Sequence, residues 1–79
     1  MDERIKKVLC AVFDVAAEEI HDGTAPANVG MWDSLNHLRM VTELEKEFGV
    51  RLRQKEIREM VSFSRIRETL GRHIAESAG

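Results

Sequence analysis

Trp32-Asp33-Ser34-Leu35-Asn36-His37-Leu38-Arg39-Met40-Val41-Thr42-Glu43-Leu44-Glu45-Lys46-Glu47-Phe48-Gly49 is the stretch that decides how this chain folds. Leu35, Leu38, Val41, Leu44 and Phe48 recur every three or four positions, the spacing of one face of an α-helix. Asp33 stands where an N-cap belongs, since a carboxylate there accepts the unpaired backbone N–H groups of the first turn. Gly49 follows the last apolar residue and suits the left-handed turn that stops a helix. The stretch predicts a helix over 34–48, and Ser34 opens it.

Upstream, residues 18–33 break the periodicity. Gly23, Pro26, Asn28 and Gly30 cluster there and predict a long loop. A loop this long in a small domain is either functional or well packed, and Ile20, Val29 and Trp32 are the residues to anchor it. Before it, Ile5, Val8, Leu9, Val12, Phe13 and Ala16 share one helical face, which predicts a helix over 2–17. Asp2 and Glu3 sit near its start, where the helix dipole favours negative charge.

Downstream, 50–54 form a short connection. A brief helix is expected over 55–61 with Ile57, Met60 and Val61 inward. Ser62 or Ser64 caps a last helix over 64–77, whose inward stripe is Ile66, Leu70, His73 and Ile74, with Phe63 leading in. Gly71 weakens that helix, and Ser77 falls in a tail expected to fray. Strand-period alternation, repeats and low-complexity tracts are absent from the sequence. The expected fold is all-α: a four-helix bundle of three longer helices and one short one, with a long loop between the first two.

Seventy-nine residues predict a single domain, 1–79. Cys10 is the one cysteine, so no internal disulfide forms, and a lone thiol fits a reducing compartment. No stretch is long and apolar enough to span a membrane. The charged start, Met1 to Lys7, lacks the apolar centre of a signal peptide. A cytoplasmic, monomeric protein without a membrane partner is expected. The net charge of -2 hides an asymmetry. Residues 14–47 hold eight acids against two bases, net -6, and residues 51–72 hold seven bases against three acids, net +4. Such polarity marks solvated helix faces or surfaces that steer different partners.

The chemistry concentrates at Ser34. A long loop delivers this hydroxyl to the first turn of a capped helix, where a phosphate on its oxygen would meet the positive end of the helix dipole. Asp33 beside it can orient a donor or a metal ion. A serine in this place is also an ordinary helix cap.

Asp33-Ser34-Leu35, followed by Leu44-Glu45-x-x-Phe48 at this spacing in a helical chain of this length, resembles the acyl carrier protein family. The likeness runs over nearly the whole chain. It implies an all-α four-helix carrier domain over 1–79, with no catalytic residues and no metal of its own. It implies 4'-phosphopantetheine as covalent cofactor, moved from coenzyme A onto Ser34 by a phosphopantetheinyl transferase, with Mg²⁺ needed only in that reaction. Asp33 then belongs to the transferase's recognition surroundings. The arm's thiol carries an activated acyl or aminoacyl group as a thioester, so the coenzyme bears the chemistry and the protein supplies presentation. The implied partners are the transferase, an acyl-loading enzyme and a downstream synthase or transferase. Recognition is expected at Leu35, His37, Leu38 and Arg39, with Trp32 and Met40 as candidate arm neighbours.

The chain departs from family members of fatty-acid synthesis. They usually carry an acid where Arg39 stands, and an acidic third-helix region where this chain has Arg51, Arg53, Lys55 and Arg58. Trp32 with His37 looks more like discrete carriers of polyketide, nonribosomal-peptide or other specialised pathways.

Competing readings are weaker. A Ser34–His37 hydrolase would want a Gly-x-Ser-x-Gly elbow, which the sequence lacks. His21, His37 and His73 have no metal-ligand spacing. A nucleic-acid binder using residues 51–72 lacks base-reading Asn or Gln on a basic recognition helix. Cys10 reads as a small core residue, and Met31, Met40 and Met60 as adaptable core filler, with Met40 a candidate pocket lining. Trp32 reads first as a loop anchor. The remaining alternative is a helical protein-interaction domain whose serine stays unmodified.

Overall fold

The computed structural model describes residues 1–78, with side chains through Ala75, so the reading of Ser77 as a frayed tail lies outside the described side chains. Four helices follow one another: α1 Asp2–Phe13, α2 Ser34–Phe48, α3 Gln54–Glu59 and α4 Phe63–Ala78. The described residues contain no strand. The expected all-α bundle with a long first loop is the observed architecture.

Each helix buries the stripe its periodicity provides. Ile5, Val8, Leu9 and Phe13 come from α1, Met40, Val41 and Leu44 from α2, and Phe63, Ile66 and Leu70 from α4. Met60, just past α3, completes the cluster with the loop residues Ile20, Val29 and Trp32. Fully burying one such aliphatic or aromatic side chain is worth about 1.5–3 kcal/mol.

The loop is built rather than slack. Ala17–Glu19 make one 3-10 turn. The Thr24 hydroxyl accepts from His21 N at 2.9 Å, and the Thr24 carbonyl accepts from Phe63 N, also at 2.9 Å. The loop is thereby fastened to the start of α4. Arg67 adds a second tie, donating to Asp2 at 2.9 Å and Asp22 at 2.8 Å.

Four local readings are corrected. The first helix ends at Phe13 rather than near 17, because Asp14 adopts the left-handed conformation at φ 55°. Aspartate tolerates that region better than most residues, so the stop carries no glycine signal. Along α2 the inward face runs through Asn36, Met40, Val41 and Leu44, while Leu35 and Leu38 turn outward and Phe48 is only half-buried. Val61 is exposed, because α3 ends at Glu59 before its stripe is complete. In α4 the inward place expected for Ile74 goes to Thr69, which is buried, while Ile74 is exposed. Ser62, just before α4, is the cap: its hydroxyl accepts from Arg65 N at 3.2 Å.

Candidate functional site

At the start of α2 the capping duty falls on Asp33. Its Oδ1 accepts from Asn36 N at 2.8 Å, and its carbonyl accepts from His37 N at 2.8 Å. Asn36 turns its side chain back, and Nδ2 donates to the Met31 carbonyl at 2.8 Å. That bond satisfies the buried amide and fixes how the loop enters the helix. Ser34 occupies the first helical position and is exposed. Since Asp33 supplies the cap, the Ser34 hydroxyl is free of that task.

Behind the serine stand three aromatic rings. Trp32 lies on Phe13 with centroids 4.7 Å apart, and His37 lies edge to edge with Trp32, its centroid 6.2 Å away and its plane turned by 20°. Trp32 Nε1 donates to His37 Nδ1 at 2.9 Å. An indole nitrogen is donor only, so Nδ1 must be the acceptor and Nε2 must carry the proton. Nε2 then donates to the Ile57 carbonyl at 2.7 Å. His37 is therefore a bridge from the loop to α3. Trp32 is buried as a loop anchor, as its sequence position suggested.

In front of these rings a groove of about 500 Å³ opens beside the serine. Pro26, Trp32, Asp33, Ser34, His37, Leu38, Ile57, Arg58 and Val61 line it. The predicted residues thus divide. Trp32, Asp33, Ser34, His37 and Leu38 meet at the groove. Leu35 and Arg39 are exposed on the neighbouring surface of α2. Met40 is 0% exposed and packs in the core, so it offers nothing at the surface. Pro26, Ile57, Arg58 and Val61 were not foreseen as groove residues. The four-residue spacing of Ile57 and Val61 was visible, but its direction depends on where α3 docks.

Among the described residues there is no group of three or more side chains that could hold a metal ion. No described helix is long and apolar enough to cross a membrane.

The second helix of this all-helical bundle thus opens on an exposed serine beside an apolar groove. The chain belongs to the acyl carrier protein family: the family model described as phosphopantetheine attachment site matches residues 3–72. Among curated proteins no sequence matches the chain. The protein is thus a phosphopantetheine-carrying carrier of a family that is itself non-catalytic and works with transferases and synthases. The residues present fit the group. An exposed hydroxyl is available, and the groove walls are mainly apolar side chains against which a flexible arm can rest.

Proposed function

We propose that Ser34 bears the phosphopantetheine arm of a single carrier domain spanning 1–79. The chain shuttles an activated acyl or aminoacyl group between a loading enzyme and a downstream synthase or transferase. The pathway is a polyketide, nonribosomal-peptide or other specialised one, in the cytoplasm. The observation that carries this reading is the exposed Ser34 hydroxyl, relieved of capping by Asp33 and opening onto the groove. When bound, the arm supplies a thiol for thioester carriage. Ser34 Oγ would give up its proton to a base of the transferase and take the phosphopantetheinyl group as its phosphoester, the pyrophosphate bond of coenzyme A breaking and adenosine 3',5'-bisphosphate leaving. The first-turn N–H groups of α2 favour the resulting negative charge. Trp32, Leu38, Ile57 and Val61 shield the arm from water, and Asp33 faces the transferase.

Coenzyme A with a permissive phosphopantetheinyl transferase is expected to convert the chain to one species, heavier by one phosphopantetheine. Peptide mapping is expected to place the group on Ser34, not on Ser62, whose hydroxyl caps α4. Ser34→Ala should abolish the modification with helical content intact, because Asp33 still caps α2. An unmodified parent, under conditions that load a control carrier, would leave the unmodified interaction domain as the better account.

A further inference from the structure

The face that presents Ser34 has a charge character of its own. Leu35, Leu38, Arg39, Thr42 and Lys46 share the outward side of α2 at helical spacing, and all five are exposed. Glu43 flanks the stripe and pairs with Lys46, and Asp33 stands beside Ser34 in the groove. Leu35 is 68% and Leu38 55% exposed, and Val61 across the groove is 47% exposed. Three bare aliphatic side chains around one hydroxyl form a small apolar centre.

Cations rim this centre, and they are unspent. Elsewhere the basic residues are only partly neutralised, since Lys6, Arg51, Arg65 and Arg72 form no ion pair with a described residue. Arg4 and Lys7 meet Glu47, Lys46 meets Glu43, and Arg67 meets Asp2 and Asp22. Arg39 and Arg58, and with them Arg53 and Lys55 on or beside α3, are exposed, and none forms an ion pair with a described residue. Of the two acids of α3, Glu59 forms no ion pair with a described residue, and Glu56 is turned inward. It accepts from Arg53 N at 2.9 Å and lies 2.8 Å from His73 Nε2. Arg58 itself lines the groove beside Ser34.

We propose that the Ser34 face docks onto protein partners whose contact surface is an apolar patch rimmed by carboxylates. Leu35, Leu38 and Val61 form the desolvated centre, and Arg39 and Arg58 are the charges that select the partner. Complementary charge raises the encounter rate, and like charge disfavours the wrong partner. This rests on Ser34 being the modified serine, since the transferase must use the same face.

The test uses a permissive phosphopantetheinyl transferase in two surface forms. In one, the residues flanking its carrier-docking patch are acidic, and in the other they are basic. The readout is kcat/KM for loading the full chain with coenzyme A. The parent should favour the acidic form by about tenfold or more, and that preference should shrink as salt rises from about 0.05 to 0.5 M. The Arg39→Glu/Arg58→Glu double variant should invert the preference. Both substituted positions are exposed, so circular dichroism should match the parent. A parent that favours the basic form, or a double variant with unchanged preference, would overturn the docking assignment while complete loading still upholds the carrier role. No loading of the parent by either form would instead overturn the carrier role itself.

Discussion

At the scale of single residues, His37 shows how a position chosen for function turns out to support structure. Its two ring nitrogens are both used, one as acceptor from Trp32 and one as donor to Ile57. Replacing it by Phe keeps a flat ring beside Trp32 but removes both bonds. The indole N–H of Trp32 and the carbonyl of Ile57 then lose their partners in a half-buried site. Leaving such groups unsatisfied costs about 1–3 kcal/mol. Urea unfolding of His37→Phe should show a loss in that range, with altered Trp32 fluorescence in the folded baseline. A midpoint equal to the parent's would mean that water replaces both partners at no cost. Because Trp32 and Ile57 wall the groove, the same variant should also expose the arm to solvent.

At the scale of elements, α2 is bracketed by two devices of different physical kind. Asp33 supplies a hydrogen bond at the start, and Gly49 supplies a left-handed residue at φ 65° at the end. Asp33→Ala should cost about 1 kcal/mol through the lost cap. Gly49→Ala should cost roughly 1–2 kcal/mol because a Cβ is strained in that conformation. The added Cβ would meet no atom within 4 Å, so the cost there is conformational and not a clash. Gly30→Ala is the control, with equally open space and no left-handed φ, and should leave the thermal midpoint nearly unchanged. A Gly49→Ala protein as stable as the parent would show that the chain can leave the helix another way. These bounds were legible because caps and glycine stops are written in single residues. The end of α1 was not, since Asp14 takes its left-handed turn only in the company of the packed loop. Nor was the inward face of α2. Leucines read as core at 35 and 38 proved to be surface, while a polar residue, Asn36, was buried with its amide satisfied by Met31. Periodicity fixes a stripe, but tertiary partners choose which flank of it faces in. The serine was legible as a helix opener, whereas its groove depends on α3, whose placement no local signal encodes.

At the scale of the whole molecule, three carboxylate contacts clasp the helices in pairs. Glu47 joins α2 to Arg4 of α1, Asp2 joins α1 to Arg67 of α4, and Glu56 joins α3 to His73 of α4. Each carboxyl is held below its ordinary value. Glu47 is lowered chiefly by the Arg4 guanidinium and Asp2 by that of Arg67. Glu56 is lowered first by the backbone N–H of Arg53 and then by His73. The sign follows from proton uptake. The unfolded chain regains the ordinary values, 3.8 for Asp2 and 4.5 for Glu56, so it binds protons first as pH falls. The stabilisation is whole above those values and is lost as pH drops through the lower folded ones. The Glu47 and Asp2 contacts are open to solvent, where screening leaves ion pairs little net worth. Glu56 is the better sheltered, with 18% of its side chain exposed, and it also caps α3. Glu56→Gln should therefore lower the thermal midpoint near pH 6 and flatten its fall between about pH 5 and pH 3. Circular dichroism melts of parent and variant across that range test this. If the two curves stay parallel down to the lowest pH, Glu56 contributes nothing to the acid limb, and the α3–α4 clasp is held by packing alone.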